Sequence, residues 1–413
     1  MSTIGTMLKE LSPSEVRYLP LKEAATYVRG VTYGKGDEET DGPVRILRSN
    51  NITLSSNTLN FDDVRTVSAT VRVRFDQHLR ANDILISAAS GSKAHVGKVA
   101  FVHEDLEYVF GGFMAVLRVS DQLNSRFLFH LLVGETFADY LDGALTSTTI
   151  NNLNSSIMGA FRIPVPPLEV QREIVRILDD FTELEAELEA ELEARRRQYS
   201  FYRDSLLAFK DADSVRWETM GAVGEFIRGR RFVKDDYVAG GIPSIHYGEI
   251  YTSYGISART TLSTVRRDLA AQLRYALTND VVIASVGETV VDVGKSVAWL
   301  GDEPVAIHDD CFAFRSEEDP RYIVYVMQTP DFQRQKDSFV ASAKVKRLSG
   351  TNMALISIPV PPIEEQQRVV AVLDAFEALV NDLSIGLPAE LAARRKQYEY
   401  YRDRLLTFEE LPA

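Results

Sequence analysis

"IPVPPLEVQREIVRILDDF", residues 163–181, returns as "IPVPPIEEQQRVVAVLDAF", residues 358–376, displaced by 195 positions. "ARRRQYSFYRDSLLAF" (194–209) returns as "ARRKQYEYYRDRLLTF" (393–408), displaced by 199. Matches of this length are not chance, and a duplicated chain has to be read as a repeat before anything else. Weaker echoes fill the remainder. "NDILIS…VGK" (82–87 and 96–98) answers "NDVVIA…VGK" (279–284 and 293–295), and "VRYLPL…YVRG" (16–21 and 27–30) answers "VRWETM…FIRG" (215–220 and 226–229). The N-terminus therefore begins where a helical repeat would have ended. Each half consists of one domain and one helix, and the halves differ most inside the domains.

Periodicity supplies the elements. Residues 20–162 and 216–357 alternate short β-rich runs ("VRILRS", "VVIASVG", "GKSVAWL") with Gly and Asn turns, and carry short helices such as "SRFLFHLLVGETFADYL". Each domain ends in "IPVPP", where the prolines force a turn before a helix begins. In the first helix the apolar seam runs Ile177, Phe181, Leu184, Leu188, Leu192, Tyr199, Tyr202 and Leu206, with Arg195 filling one slot by its aliphatic stem. In the second it runs Val372, Phe376, Leu379, Leu383, Leu387, Leu391, Tyr398, Tyr401 and Leu405, with Gly386 and Pro388 expected to break the helix and restart it. The fold class expected is α+β: two mixed β-rich domains joined by two long helices forming an antiparallel coiled coil, a pseudo-twofold internal repeat. The expected divisions are residues 1–163 (first domain), 164–213 (first spacer helix), 214–360 (second domain) and 361–413 (second spacer helix).

The bulk numbers narrow the function. The chain has 45% hydrophobic and 25% charged residues, ordinary globular values. It shows no apolar run of membrane-spanning length and no N-terminal signal, so a cytoplasmic protein is expected. A single cysteine and six scattered histidines without HExxH spacing argue against a disulfide or a metal site. The net charge of −13 is unevenly spread: residues 164–213 carry −6 and 361–413 carry −4, leaving −3 for the other 310. The acidity belongs to the helices, and the domains are free to concentrate basic groups on one face, as phosphate binding needs. No GxxxxGK[ST] phosphate loop is present, and the prolines of "PVPPL" and "PVPPI" follow valine rather than forming the Asn/Asp-Pro-Pro-aromatic loop of an adenine methyltransferase. No catalytic residue is assigned.

The doubled "IPVPPLEVQREIVRILD" and "ARRKQYEYYRDRLL" blocks, set around two dissimilar domains, resemble the specificity subunit of type I restriction–modification systems over essentially the whole chain. The resemblance implies that each domain is a target-recognition domain reading one half of an asymmetric bipartite site on double-stranded DNA. It implies that the helices form a spacer and dock two methyltransferase subunits, and that restriction subunits complete the nuclease. S-adenosylmethionine would belong to the methyltransferase, ATP and magnesium to the restriction subunit, and no cofactor to this chain.

It also gives a meaning to "ELEAELEAELEA" (183–194), one tetrapeptide written three times. Repeat number in this family is associated with the gap between half-sites. Four residues lengthen a helix by about 6 Å and add a net turn of roughly 40°. One base pair advances about 3.4 Å and turns roughly 34–36°. Rotation therefore fits one base pair per repeat.

Candidate DNA contacts are basic and polar side chains at domain turns, where cations reach phosphates and polar groups reach base edges. In the first domain they are Arg29, Lys35, Arg45, Arg48, Asn50, Asn51, Lys93, His95, Lys98, Thr148, Thr149 and Asn151. In the second they are Arg228, Arg230, Arg231, His246, Tyr247, Glu249, Tyr251, Thr252, Lys344, Lys346, Arg347 and Asn352. "RILRSNN" and "KVKRLSG" are favoured, and His103, His130 and His308 are read as structural. Phe201, Arg203 and Leu207, with Tyr400, Arg402 and Leu406 at the matched places, are candidates for subunit docking, against the plainer reading that they pack on the adjoining domain. Two other classes stay open at this point: a coiled-coil scaffold that does not touch DNA, and a stand-alone nuclease or methylase.

Overall fold

The computed structural model describes residues 16–90, 95–145, 151–209, 215–340, 346–381 and 386–411. Two compact units divide the chain: Met1–Glu189 with Leu391–Ala413, and Ala190–Glu390. The long helix Leu168–Leu206 contributes to both.

The first unit is built on an antiparallel sheet ordered Ala25–Arg29, Met114–Val119, Ile84–Ser87, Val99–Phe101. Its central strands read "ILIS" and "MAVL", apolar without alternation, because both faces are covered. One face (Ile84, Ile86, Ala115, Leu117) packs on Phe127 and Leu128 of the helix Ser125–Val133 and on Ile174 and Leu178 of the long helix. The other face (Leu85, Val116) packs on Leu47, Ile52 and Phe110. A smaller sheet places Val44–Leu47 between Val109–Phe110, parallel, and Arg65–Val67, antiparallel. The stretch 125–141, expected to be helical, holds two short helices, Ser125–Val133 and Glu135–Ala144, broken at Gly134.

The second unit repeats this plan in the order Gly224–Arg228, Cys311–Ser316, Val281–Ala284, Ser296–Trp299, with Ser257–Ala258 added at the edge. Its register is the same: Val116 faces Leu85 in the first unit, and Ala313 faces Val282 in the second. The conserved-looking "ND" and "VGK" echoes now have causes. Asn82 and Asn279 turn the chain with φ of 68° and 72°. The buried Asp83 and Asp280 that follow each hold an arginine of the central strand, Arg118 and Arg315, at 2.7 Å. Gly97 and Gly294 sit at φ 83° and 85°, where a Cβ would be strained.

In both units the "IPVP" block is a two-stranded pairing: Ile163 with Leu19, and Ile358 with Glu218. The glutamine that follows is fully buried and joins helix to domain. Gln171 Oε1 accepts from Asn124 N at 2.7 Å and its amide donates to Pro166 O at 2.8 Å. Gln366 Oε1 accepts from Asp319 N at 3.0 Å and its amide donates to Pro361 O at 2.9 Å. Asn124 and Asp319 are themselves the N-caps of the helices that lie on the sheets.

Within each unit two helical segments run antiparallel. In the first, Phe181 stacks on Tyr401 at 5.6 Å and Arg395 bonds Glu185 at 2.6 Å. In the second, Tyr202 stacks on Phe376 at 5.8 Å, the same pair by repeat position. The second spacer is described as two helices, Ile363–Asn381 and Gly386–Leu405, on either side of residues 382–385; Gly386, where the break was expected, has φ 68°, and Pro388 lies in the first turn of the latter helix. Leu383 of the expected seam lies outside the described residues. The seam itself needs correcting at both ends. Leu206, Val372 and Leu379 are exposed, whereas Leu207, Val369, Val370 and Leu373 are buried; Tyr202, 41% exposed, keeps its seam place against Phe376. Near its domain a helix turns its apolar stripe toward the sheet-covering helices as well as toward its partner, so the buried face is wider than an a/d seam. Among the described residues no helix is long and apolar enough to cross a membrane.

Candidate nucleic-acid interface

A single tight turn organises each unit's polar end. In the first unit it is Gly111–Gly112–Phe113, between the parallel strand 109–110 and the central strand that begins at Met114. Gly111 N donates to Leu47 O at 2.9 Å, which fixes the turn against Arg48–Asn51. Gly30 must be glycine, since a Cβ there would stand 2.2 Å from Gly111 O. Arg29 Nε donates to Gly112 O at 2.8 Å, and Nη2 donates to Asn152 Oδ1 at 3.2 Å. Phe113 O accepts from Ala88 N (2.8 Å) and Ala89 N (3.0 Å), and Ala89–Ser90 pairs with Asn151–Asn152.

The second unit places His308–Asp309–Asp310 on the same hub. His308 N donates to Ile245 O at 3.2 Å, and a Cβ on Gly229 would stand 2.1 Å from His308 O. Arg228 Nε donates to Asp309 O at 2.9 Å. Asp310 O accepts from Ser285 N and Ser285 Oγ, both at 2.9 Å. Arg347 reaches the Asp310 carboxylate at 3.6 Å from the ribbon in which it faces Val286. Two open grooves of about 570 and 660 Å³ flank the turn and share Arg347; the smaller also has Arg231, Lys234 and His246 along it, the larger Arg228 and Ser349.

The electrostatics differ accordingly. The imidazoles of His246 and His308 are in tilted contact, 4.7 Å between centroids. Partial burial, then the neighbouring His308, pushes the His246 pKa down. His308 Nε2 faces Phe232 O at 3.1 Å and Nδ1 accepts from Asp310 N at 3.2 Å. Potential ligand atoms of His308, Asp309 and Asp310 lie within 4.8 Å of one another; Arg347 lies 3.6 Å from the Asp310 carboxylate, Arg228 3.9 Å from that of Asp309, and the Asp310 amide donates to His308 Nδ1. The cluster is a charge-balanced turn.

The sequence candidates divide sharply. Asn50, Arg48, Arg228, Arg231, His246, Lys346 and Arg347 lie on or beside the hubs, and Asn50, Arg228, Arg231 and Arg347 are exposed. His95 is exposed and Lys98 half-buried at the Gly97 turn, whose amide bonds Ser87 O beside the first hub at 2.9 Å. Lys35, Arg45 and Arg230 are exposed, with Arg45 lying 6.0 Å over the Tyr108 ring. Burial partly depresses the Lys98 amine. Several expectations are corrected. Asn51 is fully buried, accepting from Arg48 N at 2.8 Å and donating to Asn60 O at 3.1 Å, so it shapes the turn and reads nothing. Arg29 is consumed by the hub. Glu249 is a helix cap, accepting from His246 N at 2.9 Å, and Thr252 Oγ1 donates to Gly248 O at 2.9 Å. Tyr247 packs against the histidine cluster, its ring tilted and 4.2 Å from that of His246. Tyr251, its hydroxyl pushed up to about 12 by burial and Tyr247, faces a separate cavity beside Lys295. Asn352 is half-buried in the short helix capped by Ser349. Lys93, Thr148, Thr149 and Lys344 lie outside the described residues, as does the side chain of Asn151.

Of the docking candidates, Phe201 (67% exposed) and Tyr400 (53%) stand outward at matched places. The others do not. Leu207 and Leu406 are buried; Arg203 bonds Asp204 at 2.8 Å and Gln328 at 3.2 Å, and Arg402 bonds Asp403 at 2.9 Å. They pack on their own units, the plainer reading. The hub turns were not among the candidates. "VFGGFM" (109–114) and "AIHDDC" (306–311) share no letter at any aligned position, and only the strand register aligns them.

Two copies of one scaffold, each presenting a different polar turn among basic grooves, define a class of duplicated reading protein. The comparison with known proteins identifies it. The profile of the type I restriction modification DNA specificity domain matches residues 13–194 and again 215–393, and the chain belongs to that family. A putative type I restriction enzyme specificity subunit of Haemophilus influenzae is 29% identical over 341 residues, 76% of this chain and 82% of that one. The Escherichia coli EcoR124I/EcoR124II specificity subunit is 32% identical over 259 residues, 60% of this chain and 63% of that one. Among solved structures, a chain from a study of complex assembly and conformational transition of the type I R-M system superposes with a TM-score of 0.64 at 18% identity, covering 96% of this chain and 98% of that one. The S subunit of M. genitalium gives 0.50 at 14% identity, covering 96% and 97%.

Proposed function

We propose that this chain is the DNA-reading, non-catalytic member of a type I restriction–modification assembly, with each unit recognising one half of an asymmetric bipartite target. The observation that carries the reading is the matched hub: the same backbone turn holds Gly-Gly-Phe in one unit and His-Asp-Asp in the other. A scaffold that keeps register while exchanging the chemistry at its tip is suited to reading two different short sequences. Two methyltransferase subunits with S-adenosylmethionine, and restriction subunits with ATP and magnesium, would supply the chemistry. Phe201 and Tyr400, exposed on helical segments of matched sequence, are the side chains offered for a twofold docking contact.

The reading is tested by the salt dependence of duplex binding in the complex with the methyltransferase subunits. Phosphate contacts release counterions, so affinity falls steeply with salt, by a slope of about −0.9 per contact. Arg347→Ala is expected to weaken binding and make that slope shallower by about one contact. A complex whose binding ignores salt, and is untouched by this substitution, would be a protein scaffold instead.

A further inference from the structure

Phe113 is 69% exposed, on a turn whose other two residues are glycines. Its place in the fold is fixed rather than accidental. Ala88 N donates to Phe113 O at 2.8 Å as Ser285 N donates to Asp310 O at 2.9 Å, so the two residues are equivalent in the repeat. The turn is pinned from three sides, by Leu47 O, by Arg29 Nε and by the amides of Ala88 and Ala89. An apolar ring is thus held out to solvent on rigid backbone, beside Asn50 and Asn152, at the point where the other unit holds a carboxylate half-covered by Arg347. Burial of Phe113 in a neighbouring core is not what the turn provides.

Given the DNA-reading function proposed above, on which this rests, we infer that Phe113 is a specificity residue that packs on a thymine 5-methyl group in the half-site read by the first unit. The thymine methyl is the one apolar group that B-DNA offers at the base edges of the major groove, and apolar side chains are its readers. A wedge between base steps would belong to the minor groove. The exposed side-chain amides on the neighbouring segments, Asn50 and Asn152, suit the donor and acceptor pattern of the major groove instead. The second unit holds Asp310 at this place, so the equivalent position there offers a carboxylate in place of an apolar ring.

The experiment uses the complex with methyltransferase subunits and duplexes carrying its own target, in which each thymine is replaced in turn by uracil, which lacks only the methyl. Wild type is expected to bind about fourfold more weakly at one thymine, about 0.8 kcal/mol for one buried methyl. Phe113→Ala is expected to assemble, to bind the target, and to show no loss on that same replacement, while Phe113→Leu keeps part of it. Phe75, 83% exposed and covered on one face by the Arg80 guanidinium at 4.2 Å, supplies the control: Phe75→Ala should retain the full discrimination. The inference is overturned if no thymine-to-uracil change weakens wild type, if Phe113→Ala keeps the discrimination, or if that variant fails to assemble and so marks a protein contact. A wild-type complex that binds no bipartite target at all would instead remove the reading on which the inference stands.

Discussion

His130 and Tyr325 occupy the same repeat position, and their difference gives the two units different responses to acid. His130 is fully buried; its Nε2 lies 3.0 Å from Asp179 and its Nδ1 3.2 Å from the Tyr398 hydroxyl. Burial pushes its pKa down, against the opposing pull of Asp179. For Asp179 burial acts upward, but the bonds and charges of His130 and Arg126 outweigh it and hold the carboxyl low. Both groups are depressed on folding, so both contribute stability that is present at neutral pH and lost as pH falls, beginning for the histidine below about 6.5. Tyr325 bonds Asp374 at 2.6 Å and does not titrate in this range, its hydroxyl being pushed far up by burial. Melting temperature measured between neutral pH and about pH 5 should therefore fall less in His130→Tyr than in wild type, with a residual slope from His103 and His246, which are also depressed by burial. Parallel slopes would refute this. At the same scale the sequence was least legible. Asn51 and Glu249 look like readers because nothing in composition tells whether an amide or carboxylate is spent on the backbone amide three residues before it. Both are, in the same capping geometry, at equivalent places.

Helices and strands were far easier to read, because period and duplication act over many residues. The 195- and 199-residue shifts marked the repeated blocks and the seam residues Phe181, Tyr202, Phe376 and Tyr401, which the structure stacks in matched pairs; the strand pairing at IPVP and the buried glutamines carry no such signal and became visible only in the fold. The seam was misjudged where Leu206 and Leu207 adjoin: both are apolar, either can continue a 3–4 spacing, and the adjoining domain decides for Leu207. Between those ends the tetrapeptide repeat lies inside one unbroken helix, Leu168–Leu206. Glu185 and Glu189, one repeat apart, both engage Arg395, so the tetrapeptides carry pairing as well as length. Deleting one ELEA removes about 6 Å and a net turn of roughly 40° of helix. The deletion variant, assembled with its methyltransferase, should modify a target whose central gap is one base pair shorter. An unchanged gap, from an active complex, would show that the helix does not set the spacing.

At the level of the whole chain, the duplication is circular in form. In the second unit the backbone runs from the end of the long helix at 206 toward the strand beginning at Arg216. In the first unit the same place is filled by Val16 and the segment that follows the second spacer: Val16 N donates to Glu409 O at 2.8 Å and Leu411 N to Val16 O at 3.0 Å. That is why the segment from Val16 answers the one from Val215. The net charge of −13 is likewise a property of parts, carried mostly by the helices, and leaves the hub grooves to Arg228, Arg231 and Arg347. One scaffold written twice with different tips should read two different half-sites, and this is the claim on which the account depends. It is tested most directly by co-expressing the chain with its methyltransferase subunit and mapping modified adenines across the host genome. The account predicts a single asymmetric motif, two dissimilar short halves around a fixed gap. A palindromic motif, or no modification from a well-formed complex, would contradict it.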